Sequence, residues 1–222
     1  DFLECLVKAS DDGKNDIVFC NYQSIYSNGR VKKHDVVSSI MKEGKKRLIG
    51  KSFDSLCCMM IRKRIIESIA FPNIRNGEDM AIIPPIIVAS DTFGFVDKCI
   101  YNYFYHLGSL SKTYTNEMIN SLRTSFQYIC DSIGETYPEE TEFLGIRNYL
   151  YGGLLNLFKD KKDNKESAIE ILECFEKIYP EWRKNYLFST LPLYKRVYLS
   201  AAKKRLFFCC RIMSKIHMVL SK

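Results

Sequence analysis

Two β-rich runs, residues 16–22 (DIVFCNY) and 93–105 (FGFVDKCIYNYFY), constrain this chain more than anything else in it. Both are dense in β-branched and aromatic side chains, and helical patterns lie between them, so the first half must build a sheet whose connections are helices. Beyond residue 111 the pattern changes. Ile119, Leu122, Phe126, Ile129 and Ile133 share one face of a helix capped at Thr115-Asn116, and 139–158 and 165–179 give two more helices around the charged turn 159–164. The expected class is α/β: a mixed sheet with helices over 1–112, a helical bundle over 113–192, and a basic amphipathic helix over 193–222.

Finer signals fill in the first half. Phe2, Leu3, Leu6 and Val7 recur at helical spacing, and Ser10-Asp11-Asp12-Gly13 stops that helix before the first β run. Asp11-Asp12 reads as a solvated turn or as a carboxylate pair for a metal. Asn28-Gly29 has the signature of a tight hairpin, so a short edge strand should follow at 31–33. Residues 55–69 read as one helix with Leu56, Met59, Met60 and Ile65 or Ile66 inward and Arg62-Lys63-Arg64 outward. The apolar run 82–88 contains Pro84-Pro85, and proline is tolerated best in a first turn, so a helix should start or kink there.

At 222 residues, 46% of them hydrophobic and 27% charged, the chain can bury a sizeable core. Its nine cysteines include no C-x-x-C pair and sit mostly in apolar runs such as Ile17-Val18-Phe19-Cys20. Small buried thiols of this kind suit a reducing compartment, and a cytoplasmic location is expected. No apolar run approaches the ~18 residues of a membrane span. The chain begins at Asp1-Phe2-Leu3 without methionine, so its numbering is expected to start inside a longer protein.

The formal charge of +7 is concentrated in one place. Residues 193–222 carry Lys195, Arg196, Lys203, Lys204, Arg205, Arg211, Lys215 and Lys222 and no acid, while the rest of the chain holds 25 of the 33 bases and all 26 acids. Read as one helix, this tail sets Lys195, Lys203, Lys204, Arg211, Lys215 and Lys222 in a broad arc with Leu206, Ile212, Met213 and Ile216 opposite. Such a helix could bind an anionic bilayer through its basic face, pack its apolar face on the bundle, or bind nucleic acid. Nucleic acid is the least favoured of the three, and none is expected as a partner.

The sharpest candidate for chemistry is RNGEDM, residues 75–80, where Glu78-Asp79 stands at the mouth of the apolar run. Carboxylates there could be catalytic, or could simply stabilise a helix N-terminus. His106, at the end of an aromatic strand and before a Gly-Ser loop, could meet a metal or phosphate or serve as a structural hydrogen-bonder. No Gly-rich phosphate loop, H-E-x-x-H, G-x-S-x-G or Cys–His nucleophile signature is present.

Taken in order, DFLECLVKASDDGKNDIVFCNY, IYSNGR, SFDSLCCMMIRKRIIESIAFPN, the Glu-Asp pair and YNYFYHLGSLS resemble the second half of the family 2 glycosyltransferases, inverting enzymes of the GT-A fold. The resemblance covers residues 1 to about 111. It implies an incomplete GT-A-like sheet and transfer of a hexosyl group from a nucleotide sugar to an acceptor hydroxyl, in bacterial surface polysaccharide or glycan synthesis. Asp79 would be the general base and Glu78 a supporting group, because a sugar hydroxyl is a poor nucleophile until a positioned carboxylate takes its proton. Arg75, His106 and Ser109 would line the substrate site, with His106 near the donor diphosphate or its divalent metal, Mg2+ or Mn2+. Phe104 departs from the arginine that relatives often carry there.

The donor-binding half and its D-x-D motif have no counterpart, so the resemblance implies a piece of a longer enzyme, inactive by itself and lacking the main metal ligands. The acceptor would be a glycan or lipid-linked, at the inner face of the membrane, where the tail would hold the enzyme peripherally through Lys203, Lys204, Arg205, Arg211 and Lys215. The alternative reading is a non-catalytic interaction or membrane-surface module that uses this tail.

Overall fold

The computed structural model describes residues 1–40, 44–51, 55–74, 77–105, 116–159 and 164–220. It is a mixed α/β structure with one small four-stranded sheet and many helices. The chain divides into two compact units, one of residues 1–112 with 131–133, the other of residues 113–130 with 134–222.

Strand β1 (Ile17–Ile25) organises the first unit. It pairs in parallel with β4 (Phe93–Phe104) along its whole length; its other edge is shared by β3 (Met59–Ile61), antiparallel to the first half, and β2 (Val31–His34), antiparallel to the second. Ile17, Val18, Phe19 and Cys20 are all fully buried, as in a strand covered on both faces. On one face, Val18 and Cys20 pack with Cys58 and with Leu6 of α1 (Phe2–Ala9). On the other, the Phe19 ring stacks on Phe93 and Phe95 at centroid distances of 6.3 and 5.7 Å.

The parallel pairing slips around Asn21, where β4 bulges. Asn21 is buried, and both ends of its amide are satisfied. Its Nδ2 donates to Asp97 Oδ1 at 2.8 Å, and its Oδ1 accepts from the Val36 and Val37 backbone N–H groups at 2.7 and 2.8 Å. One side chain thus ties the bulge to the start of helix α2 (Val37–Ile40).

At the strand's entry, buried Asp16 gathers three segments. It pairs with Arg62 Nε at 3.1 Å and accepts from Arg64 NH2 at 2.9 Å and from the backbone N–H groups of Asp91 and Thr92 at 3.0 and 3.4 Å. These bonds, led by that from the Asp91 backbone and joined by the Arg64 guanidinium, outweigh burial and hold its carboxyl below the usual value. Arg62-Lys63-Arg64 is therefore not merely a solvated face.

One expectation fails in this unit. Residues 55–69 do not form one helix: a 3-10 turn at Leu56–Cys58 leads into β3, and only Lys63–Glu67 is helical, as α4. Met59–Ile61 gains ladder hydrogen bonds against Ile17–Phe19 that no local pattern announces. Within 35–48 lie α2 and the start of α3 (Lys45–Lys51), which buries Leu48 and Ile49. Helix α5 (Glu78–Val88) starts well before Pro84-Pro85 and contains both. The missing N–H groups cost it the bonds to the Met80 and Ala81 carbonyls, yet every residue from Met80 to Ile87 is buried, and packing outweighs that loss.

Gly94 marks where β4 passes the end of α1. A Cβ there would stand 2.5 Å from the Ala9 carbonyl oxygen and 2.8 Å from Asn15 Nδ2, itself bonded to that oxygen at 2.9 Å. Gly94→Ala should destabilise the protein by about 2 kcal/mol, read as a lower urea midpoint at unchanged slope.

The second unit is helical among its described residues. Helix α6 (Asn116–Ile133) buries Leu122, Phe126 and Ile129. The single helix expected over 139–158 is a composite: α7 (Pro138–Leu144), a π-helical stretch Gly145–Gly152, and α8 (Gly153–Leu157). Gly145 lies so close to the rings of Phe126 and Phe175 that a Cβ would come within 2.5 Å of both. Phe175, fully buried, belongs to α9 (Lys165–Ile178).

The tail is not one helix. α10 (Leu193–Lys203) and α11 (Phe207–Leu220) are separated by a turn in which Arg205 adopts φ +58°. The Arg205 N–H bonds the Ala202 carbonyl at 2.8 Å and the Leu206 N–H bonds Ala201 at 2.9 Å, the paired stop of a Schellman motif. An arginine replaces the usual glycine there, and its NH2 group reaches Glu176 Oε2 at 3.0 Å.

Candidate active site at the mouth of helix α5

Gly77 precedes α5 with φ +90°, a left-handed conformation that glycine adopts without steric cost. Its carbonyl accepts the Ala81 N–H at 3.1 Å and closes the first turn. Glu78 is exposed and Asp79 half-buried, so the neighbouring carboxylates face different surroundings. Asp79 Oδ2 accepts the backbone N–H of Leu56 at 3.3 Å. That bond joins the first turn of α5 to the 3-10 turn Leu56–Cys58 and holds the carboxylate against it.

The same turn places two further groups that sequence reasoning passed over. Cys57 is exposed, and a hydrogen bond between its thiol and the Tyr101 hydroxyl, with burial second, pushes Tyr101 up to about 12. Cys58 is buried on the same face of the sheet as Cys20, and the neighbouring Cys20 thiol, then burial, raises Cys58 far above the ordinary thiol value. All nine cysteines are free. Periodicity could not have found this cluster, because it depends on β3 pairing with β1.

Arg75, His106 and Ser109, the remaining candidates for substrate binding, and His106 as a metal ligand, lie outside the described residues, as does the Thr115 cap. Among the described residues no three His, Cys, Asp or Glu side chains come together as a metal-binding group. The Asp11-Asp12 pair makes a turn in which both residues have positive φ, and Asp11 pairs with Lys14 at 3.1 Å.

The tail distributes its cations differently from the expected arc. Arg205 is held by Glu176, and Lys203 Nζ lies 3.4 Å from the Pro180 carbonyl and 5.4 Å from the Trp182 ring centroid. Lys195 sits 4.7 Å from the ring centroid of Tyr151. Lys204 and Lys215 are exposed, and Arg211 is half-buried. Leu206, Ile212 and Ile216, expected opposite the basic arc, are exposed. The inward face of α11 is Phe207, Cys210 and Ser214, with Ser214 Oγ 3.1 Å from the Tyr198 hydroxyl of α10.

A scan against protein-family models finds no match, and neither does a search of curated proteins.

Proposed function

We propose that this chain is the acceptor-side part of an inverting glycosyltransferase, with Asp79 as the general base. The reading takes the four-stranded sheet and α5 as the acceptor side of a GT-A-like domain, and the second unit as an appended helical bundle. In it, the Asp79 carboxylate removes the proton of an acceptor hydroxyl while that oxygen bonds to the anomeric carbon of a nucleotide sugar. The bond from that carbon to the nucleotide diphosphate breaks with inversion, and Glu78 helps to place the acceptor. The donor and the catalytic metal would be held by residues outside this chain.

The observation that carries the reading is the position of Asp79. It is a half-buried carboxylate at the exposed end of an otherwise buried helix, with one oxygen fixed by the Leu56 N–H. A base must be held still and yet be reachable, and this one combines the two conditions.

The first test is to read the coding sequence upstream of Asp1. A β-strand and a D-x-D motif in the preceding segment support the proposal. A start codon directly before Asp1 overturns it and leaves the non-catalytic interaction module. Given the longer protein, Asp79→Asn with sugar transfer as the readout tests the residue itself.

A further inference from the structure

Two consecutive helices of the second unit turn large apolar side chains to solvent. On α11, Phe208, Ile212, Ile216 and Val219 recur at spacings of four, four and three opposite the buried face, with Phe208 78% and Val219 68% exposed. On α10, Tyr198, Leu199 and Ala202 are buried while Leu193, Tyr194 and Val197 lie outward, Leu193 at 67%. Single exposed apolar residues are ordinary; two successive stripes mark an interaction surface. The α10 stripe ends at exposed Lys204, exposed Lys215 lies beside the α11 stripe, and residues 193–222 contain no acid.

We propose that α10 and α11 lie flat in the headgroup layer of an anionic lipid bilayer, with Phe208, Ile212, Ile216 and Val219 inserted and Lys204 and Lys215 on the lipid phosphates. This inference is independent of the transferase reading: the apolar stripe enters, and the lysines flank it. An outward face that combines aliphatic and aromatic residues with lysines suits the boundary between acyl chains and headgroups. Among the described residues no helix is long and apolar enough to cross a membrane, and the 14 residues of α11 would span only about 21 Å against a hydrocarbon core of about 30 Å.

Other occupants fit less well. A second copy meeting this face about a two-fold axis would bring its lysines against the same lysines, with no carboxylate from residues 193–222 to separate them. Nucleic acid would engage the lysines but leave the aliphatic stripes in water, since affinity for it rests on phosphate contacts.

The test sediments the full chain with vesicles of phosphatidylcholine alone and with vesicles containing about a quarter phosphatidylserine, alongside a DNA duplex. The expected result is binding to the anionic vesicles. Phe208→Ser with Ile212→Ser should lower that partitioning about tenfold or more, and Lys204→Glu with Lys215→Glu should weaken it most at low salt. All four positions are exposed, so the variants should keep the parent circular dichroism and melting temperature. Failure to bind anionic vesicles, or full binding by the Phe208/Ile212 variant, overturns the proposal. It is also overturned if light scattering shows a dimer that this variant dissociates, or if the chain binds duplex DNA but not vesicles.

Discussion

On the transferase proposal, Asp79→Asn is expected to lower the kcat of sugar transfer by about 10²–10⁴-fold, the usual worth of a positioned general base. Asparagine keeps the size and an oxygen able to accept the Leu56 N–H, so the junction between α5 and the Leu56–Cys58 turn should persist. What disappears is the ability to take a proton. Glu78→Gln, at an exposed position without a proton to accept in this scheme, should cost about tenfold or less. If Asp79→Asn leaves transfer intact and only lowers the melting temperature, the carboxylate is a fastener between two turns and the catalytic assignment is wrong.

Asp16→Ala should cost about 3 kcal/mol of folding stability. The substitution removes the shared acceptor of Arg62, Arg64 and two backbone N–H groups, and so loosens β1 from both the β3–α4 junction and the turn before β4. Arg64 is largely exposed and can rehydrate, which keeps the loss from being larger. The pH dependence follows from the direction of the shift. The folded-state carboxyl is depressed below its ordinary 3.8, so its contribution is fully present above about pH 4 and is lost as pH falls through the depressed value. Urea titrations of the parent should show this acid-side loss, and in Asp16→Ala it should be reduced. Asp16→Asn, which retains an acceptor but not the charge, should fall between the two. A midpoint for Asp16→Ala equal to that of the parent would show that the cluster contributes nothing net.

The elements legible in the sequence are those whose burial follows from local periodicity. Helix α1, strand β1, the Asn28-Gly29 hairpin with β2, strand β4 and helices α6 and α9 all appear close to where apolar spacing and turn residues put them. Glu78 and Asp79 were legible too, as carboxylates opening an apolar helix. The bond from Leu56 to Asp79 was not, since it joins residues 23 apart whose approach depends on the sheet.

Elsewhere the local signal pointed the wrong way, and each time a longer-range term outweighed it. Leu56, Met59 and Met60 have helical spacing, but Met59–Ile61 completes a sheet edge and becomes a strand. Pro84-Pro85 argue for a helix that starts or kinks there, and burial of Met80 to Ile87 carries α5 through both. The tail reads as one amphipathic helix, but the αL turn at Arg205, braced by Glu176, breaks it in two. The sequence by itself determined the mixed α/β class, the alternation of strands and helices and the concentration of positive charge, because these rest on composition and on spacing within a few residues. Only the tertiary structure decided which carboxylate is pinned, which cations are already paired and which apolar stripe is left exposed, because each depends on residues that sequence distance keeps apart and packing brings together.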